Sequence, residues 1–507
     1  MSLDALENRL YQLIISRLDG DRIGIAGYEK KITGLVRKGI GGFILFGGQR
    51  DEIKGFLDYL QSFSEVRLFI ASDTERGVGQ QVRGTTIFPC QMAIAAALDK
   101  HRPDHVLLLE DTLRAFALEA KDTGINMPLI PVLDVNRNPD NPIICTRAFS
   151  DNPEDVSWFG SEYIKIIEEE GLISCAKHFP GHGDTATDSH ISLPVITKPY
   201  SSLKKIDIMP FVMAIESKVG SIMVGHLSIP DIDPLPASLS PKVIALLRNE
   251  LGFDGIIISD ALTMDALRGR ENVPLECLHA GIDMLLHPGD ADMTVKGLLN
   301  DVGAGKLRES QIETAVNRII TVKGRLAEGR RDNPDYMHHT ELSVQLTGMS
   351  ITLVKQSPGI LPIQDVTLCK VAFAGDERLY DSSPLKDALT LHPFSHQQSL
   401  LWRQGGMSEN LCEIQIVAIF TSISAWKGSS GIEGREEERL LELMRRAGRS
   451  VVISFGSPYV LRRFTGADVL IAAYDATHAA QMAVMHCLTG KRDFRGRLPV
   501  KIGFVDG

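Results

Sequence analysis

Three histidines, two aspartates and a lysine fall within the fourteen residues 177–190, which read K-H-F-P-G-H-G-D-T-A-T-D-S-H. Such side chains move protons and hold charge near neutral pH. Asp188 and His190 are separated by one serine, and the proline, glycines and small polar residues before them predict a loop. An aspartate beside a histidine can fix one imidazole tautomer and stabilise the imidazolium, so that the ring acts first as general acid and then as general base. The alternative is a solvated D-x-H pair. Asp260 ends the apolar run Gly255-Ile256-Ile257-Ile258-Ser259. A carboxylate there is costly unless it is hydrogen-bonded or used. It reads either as a nucleophile or charge stabiliser, or as the cap of a helix starting at Ala261. Lys177, next to His178, offers a fixed cation to a hydroxyl or carboxylate, or else pairs structurally. His178, His182, Asp184 and His190 can be set out as metal ligands, but their H-x3-H-x-D-x5-H spacing fits no zinc pattern with a known mechanism. No metal and no other cofactor is expected.

These residues must be positioned by something. Apolar, β-branched runs at 13–16, 42–46, 68–72, 127–133, 172–177, 221–225, 255–259 and 283–287 alternate with amphipathic stretches such as 28–38, 51–63, 155–170, 241–251 and 294–302. Eight strands alternating with helices predict a parallel sheet, and their number and span favour a (β/α)8 TIM-type barrel. Polar residues follow the runs: Asp73 and Glu75, Asp134 and Asn136, Lys177 and His178, His226, Asp260 and His287. Strand ends meeting water explain part of this pattern; in a closed barrel the same positions converge on one mouth. Residues 310–330 read as a final helix with Ser310 as N-cap and Glu313 completing a capping box. The barrel is therefore assigned to 1–330. A polar, proline-broken linker covers 331–341, and a second α/β unit, an αβα sandwich, covers 342–507. Its strands are expected near 371–373, 414–420, 450–455 and 469–473, with a helix at 436–447.

The chain has 507 residues, 44% of them hydrophobic and 23% charged, so two or three soluble domains are expected. A formal net charge of −10 argues against nucleic acid or an anionic membrane as the main partner. There is no run of eighteen apolar residues to span a bilayer. The first residues, M-S-L-D-A-L-E, carry acids where an export signal would be apolar, so a cytoplasmic location is expected. Seven scattered cysteines read as reduced thiols rather than a disulfide framework.

The run K-H-F-P-G-H-G-D-T followed by D-S-H resembles glycoside hydrolase family 3, specifically its β-N-acetylglucosaminidase (β-N-acetylhexosaminidase) branch in a two-domain form. Supporting segments are Gly41-Gly42-Phe43-Ile44-Leu45-Phe46, Asp134-Val135-Asn136-Arg137-Asn138-Pro139, Thr146-Arg147-Ala148-Phe149-Ser150 and Ser259-Asp260-Ala261-Leu262. Weaker likenesses in the second unit are Ile351-Thr352-Leu353-Val354-Lys355 and Gly496-Arg497-Leu498-Pro499-Val500. The resemblance implies Asp260 as nucleophile, His190 as acid/base and Asp188 as its orienting partner. It implies sugar binding by Asp73, Arg147, Lys177 and His178, with His226 and Met264 nearby. One segment departs from the branch: where D-Q-E-G-G-R is usual, this chain has Asp73-Thr74-Glu75-Arg76-Gly77-Val78.

The activity implied is a retaining exo-β-N-acetylhexosaminidase. It would release N-acetylglucosamine from muropeptide- or chitin-type oligosaccharides, as in peptidoglycan recycling, with an oligosaccharide as its partner molecule. Within the family, a β-glucosidase, a β-xylosidase or an N-acetylglucosaminide phosphorylase is the alternative. Outside it stand a metal-dependent hydrolase and a non-catalytic sugar-binding protein.

Overall fold

The computed structural model describes residues 6–326, 333–363, 369–375, 381–391 and 413–503. Two compact units are present: one of Met1–Phe88, Leu107–Val135 and Asn152–Thr340, the other of Pro89–Val106, Asn136–Asp151 and Glu341–Gly507. The helix Tyr336–Ser350 begins inside the stretch expected as linker, so that stretch is helical from Tyr336 onward.

The first unit contains eight parallel strands: β1 (Ile14–Asp19), β2 (Gly42–Phe46), β3 (Phe69–Ser72), β4 (Met127–Pro128), β5 (Cys175–Phe179), β6 (Ser221–Val224), β7 (Ile256–Ser259) and β8 (Leu285–Leu286). Ladders run β8-β1-β2-β3-β4 and β5-β6-β7. Two parallel bridges, Val132 to Lys177 and Ile258 to Met284, join the ladders into a closed barrel. All eight predicted runs supply a strand. Their β-branched and large apolar residues are buried on both faces, as a sheet wrapped by helices requires. Gly41 and Gly42 lie where β2 meets its neighbours most closely: a Cβ would stand 2.2 Å from the Gln12 carbonyl and 2.3 Å from that of Phe69. The strand-to-strand approach therefore requires glycine there.

Helices return the chain between strands and are started by short polar caps. Asn152 accepts from the Glu154 N–H ahead of Pro153, Ser240 from Val243 N–H ahead of Pro241, and Asp290 from Met293 N–H. The last barrel helix, Glu309–Lys323, departs from expectation. It starts one residue before Ser310, its cap position is Arg308 with no side-chain cap, and Ser310 lies in its first turn.

Among the described residues the second unit has five strands: β9 (Thr352–Gln356), β10 (Cys369–Gly375), β11 (Ile414–Phe420), β12 (Arg449–Phe455) and β13 (Val469–Ala472). Their order is β9-β13-β12-β11-β10, with only β9 antiparallel to its neighbour. Alternate residues feed two separate cores. Ile416, Ile453 and Ile471 pack with Val484 and Leu488 of the helix His478–Leu488. Val417, Val452 and Leu470 pack with Leu440 and Met444 of the helix Gly434–Arg445. Helices on both faces of one sheet make this unit an αβα sandwich. Cys90, Met92, Ala96 and Cys145 join the second of these cores, which is why the segments holding them group with this unit. Five described cysteines, 90, 145, 175, 277 and 487, are buried free thiols.

Candidate active site

Residues that follow the barrel strands form the site. Asp73, just past β3, faces the β5 residue Lys177, whose Nζ lies 2.8 Å from Asp73 Oδ1 and 2.8 Å from Glu75 Oε1. Lys177 is 1% exposed and Asp73 33% exposed, so the buried ammonium pins a carboxylate that still presents to solvent. That arrangement suits recognition of a hydroxyl, since the acceptor is charged and its direction is fixed.

Asp134, past β4, is fully buried and organises the motif after β5. Its Oδ2 lies 2.7 Å from His178 Nδ1, and its Oδ1 accepts the backbone N–H groups of His182 at 2.6 Å and His178 at 3.3 Å. Burial pushes the Asp134 pKa up, but its interactions with His178 and His182 and these hydrogen bonds outweigh it and hold the value below the usual carboxylate range. The contact fixes the His178 tautomer with hydrogen on Nδ1. Burial drives His182 down to about 4, so that ring is neutral at pH 7.

Farther along the loop, His190 Nδ1 lies 2.8 Å from Asp188 Oδ1, which also accepts the His190 backbone N–H at 2.9 Å. The Asp188 side chain is fully buried and that of His190 is 24% exposed. The imidazole is thus held at Nδ1 by a buried carboxylate.

Asp260 follows β7. Its N–H donates to the Val224 carbonyl at 3.0 Å, and its Oδ1 accepts from Ala261 N–H at 2.8 Å. No helix starts at Ala261, so the capping alternative drops away; the next regular turn is Asp265–Leu267. Burial pushes the Asp260 carboxyl up, but His178, His226, the Ala261 N–H and His190 together hold it below the usual range. Asp260 is ionised at neutral pH and half-buried. Met264 is buried and its N–H donates to the Ala261 carbonyl. Two backbone hydrogen bonds, Asp265 N–H to His190 O (3.4 Å) and Ala266 N–H to Ser189 O (3.3 Å), lay the dyad loop alongside the turn after Asp260.

His226, past β6, is closed off. It is 0% exposed, with Nδ1 2.7 Å from Ser238 Oγ and Nε2 3.1 Å from the Ala261 carbonyl. Both ring nitrogens are spent on the protein, and the second one steadies the peptide next to Asp260. Burial lowers its pKa, so it stays neutral.

The barrel thus brings Asp73, Lys177, His178, Asp188, His190, His226, Asp260 and Met264 to its strand ends. Arg147 instead lies in the second unit, at the end of the turn Cys145–Arg147, where its Nη1 donates to the Ile143 carbonyl at 3.1 Å. Asp184 pairs with Lys198 at 3.0 Å, and among the described residues no group of three or more His, Cys, Asp or Glu side chains is placed to hold a metal ion. Asp134 and Glu75 were visible in the sequence as polar strand ends, but nothing there showed that one would hold both His178 and His182, or that the other would share Lys177.

Lys198 also reaches Asp207 at 2.6 Å, tying the loop to a buried carboxylate. Burial pushes Asp207 up to about 6. A folded value above the unfolded one means that this group costs stability as pH rises through that window. Lys198→Met is therefore expected to lose about 3 kcal/mol at pH 8, where Asp207 would be charged without its cation. The loss should shrink at pH 5, where the carboxyl can take up a proton. Denaturant melts of both proteins at the two pH values check this; a loss independent of pH would exclude the ion pair as its source.

Comparison with known proteins agrees with this architecture. Residues 5–322 match the glycosyl hydrolase family 3 N-terminal domain. The chain belongs to glycosyl hydrolase family 3. It is 32% identical over 342 residues to a protein named Beta-hexosaminidase A from Pseudoalteromonas piscicida, covering 60% of this chain but only 56% of that one. It is 27% identical to a Beta-N-acetylglucosaminidase/beta-glucosidase from Cellulomonas fimi, covering 91% of this chain and 88% of the relative. Among solved structures, a family 3 β-N-acetylglucosaminidase from Paenibacillus sp. strain FPU-7 superposes with a TM-score of 0.83 at 26% identity, covering 99% of this chain and 100% of that one. A fungal multi-domain family 3 β-N-acetylglucosaminidase gives a TM-score of 0.87 at 26% identity, with 99% of this chain covering 61% of it. No described helix is long and apolar enough to cross a membrane.

Proposed function

We propose that the protein is a retaining exo-β-N-acetylhexosaminidase that releases N-acetylglucosamine from muropeptide- or chitin-type oligosaccharides in the cytoplasm. The observation that carries this reading is the His190–Asp188 pair, 2.8 Å apart, on a loop hydrogen-bonded to the turn after Asp260. An ionised carboxylate and a tautomer-fixed imidazole on adjoining loops are the two groups that double displacement needs.

In the first step an Asp260 carboxylate oxygen attacks the anomeric carbon. The bond from that carbon to the leaving oxygen breaks, and the proton on His190 Nε2 passes to that oxygen. In the second step water attacks the same carbon, gives its proton to His190 Nε2 and releases Asp260. Two inversions retain the β configuration. Asp188 holds the ring and stabilises the imidazolium that donates in the first step and re-forms in the second. Asp73, Lys177 and His178 bind hydroxyls of the non-reducing-end sugar, and Arg147 is assigned the same role through the family motif that contains it. His226 acts through the Ala261 carbonyl to position Asp260, and Met264 closes that turn through its N–H to the same carbonyl.

The test is release of nitrophenol from the aryl β-N-acetylglucosaminide and the aryl β-glucoside, side by side, with and without chelator. The expected result is chelator-resistant turnover that prefers the N-acetyl sugar. Preference for the plain glucoside would move the protein to the β-glucosidase alternative. Loss of activity with chelator would restore the metal-dependent one.

A further inference from the structure

The proposed reaction does not use the flank of the barrel mouth formed by β8, β1 and β2. Register fixes what lies there. Arg17 pairs with Ile44 and Ile44 with Ala71, so Arg17, Phe46 and Asp73 point to one face of the sheet. Asp73 meets Lys177, which makes that face the inside of the barrel. The Arg17 guanidinium stacks 4.7 Å from the centre of the Phe46 ring. Its side chain is 48% exposed, and its nearest carboxylate is Asp19, 3.7 Å away. Among the described residues it makes no hydrogen bond. With its plane covered by the ring, its N–H groups are directed edgewise.

His287 ends the wall on the β8 side. Its N–H donates to the Ile15 carbonyl at 2.8 Å, and it sits at φ 45°, a left-handed conformation unusual for a residue with a Cβ. Burial first, and Arg17 second, lower its pKa, so the ring is neutral. Arg17 is the cation of this flank.

The sugar carbon next to the anomeric carbon must direct its substituent to one side of Asp260. On the β6 side stands His226, sealed and with both nitrogens engaged. On the other side stand β8 and then β1. Adjacent strands lie about 4.8 Å apart, so β1 is about 10 Å from β7. A nucleophile contact of about 3 Å, about 4 Å of covalent reach from the anomeric carbon to an acetamide oxygen and a hydrogen bond of about 3 Å together span that distance. An acetamide has one strong acceptor oxygen and one methyl group. Arg17 offers only donors, and Phe46 offers an apolar face.

We propose that Arg17, backed by Phe46, reads the 2-acetamido group of the substrate, donating to its carbonyl oxygen while the ring packs its methyl group. This rests on the glycosidase reading above and names the determinant of its sugar preference.

The experiment is kcat/KM of wild type, Arg17→Met and Phe46→Ala on the aryl β-N-acetylglucosaminide and the aryl β-glucoside. Methionine keeps apolar contact with Phe46 while removing the donors. The ratio of the two substrates is independent of how much protein is folded. Arg17→Met should reduce that ratio on the order of 10- to 100-fold, and Phe46→Ala should reduce it by a smaller factor. A preference that survives the loss of Arg17, with equal losses on both substrates or none on either, would overturn the assignment while leaving the glycosidase reading intact. A wild type silent on both substrates, or without preference for the N-acetyl sugar, would overturn that reading and this inference with it.

Discussion

Asp260→Asn is expected to lower kcat by on the order of 10^4-fold or more on every glycoside, whatever its leaving group. The substitution keeps size and the Ala261 hydrogen bond but removes the negative charge. Neither other half of the machinery can substitute: Asp188 is buried behind its imidazole, and Asp73 is engaged by Lys177. The smaller variant Asp260→Gly supplies a chemical check. Azide added to it should occupy the vacated space and attack the anomeric carbon, giving a glycosyl azide of α configuration. Formation of the β azide, or turnover of Asp260→Asn within tenfold of wild type, would remove Asp260 from the role.

The second large effect is selective. His190→Ala should cost about 10^2- to 10^4-fold where the leaving alkoxide needs a proton, as with a natural sugar aglycone. With a dinitrophenyl leaving group the first step needs no acid and should be nearly spared. The second step still needs a base, so glycosyl-enzyme should accumulate and a burst of phenol should precede a slow steady state. Asp188→Asn should act in the same direction, since an amide at 2.8 Å from Nδ1 can reverse the tautomer that the carboxylate fixes. Leaving-group series measured on the three proteins by stopped flow check this. Equal losses on good and poor leaving groups would assign the acid to another residue.

Much of this was legible in the sequence, for a physical reason: barrel strands are buried on both faces and so announce themselves as apolar runs. The second unit likewise showed its central strands, because alternate residues feed two cores. The β4 run was harder to delimit. Pro128 and Pro131 lack an N–H, so over 127–133 the regular strand is short, Met127–Pro128, and the rest of the run meets its neighbours through a bridge at Val132 and single backbone hydrogen bonds. Ser310 matched a cap pattern, but the backbone had already turned helical one residue earlier.

At the site, Asp188 and His190 were readable from one motif and Asp260 from the end of an apolar run, while partners distant in sequence were not. Asp134 is separated from His178 by 44 residues, and Ser238 from His226 by 12, so no local pattern records either bond. The resemblance placed His226 near the sugar; the fold spends both its nitrogens internally. Arg17 lay unnoticed just past the apolar run 13–16. Only the strand register, which carries its side chain to the face shared with Phe46 and Asp73, gives it a place in the mouth.

The central claim is that a covalent glycosyl-enzyme forms on Asp260, and the most direct measurement is to trap it. Incubation with an activated 5-fluoro-N-acetylglucosaminyl fluoride should inactivate the protein with time, and mass spectrometry of the digest should place one sugar on the peptide containing Asp260. A label on another carboxylate, or product of inverted configuration with no label formed, would contradict the account.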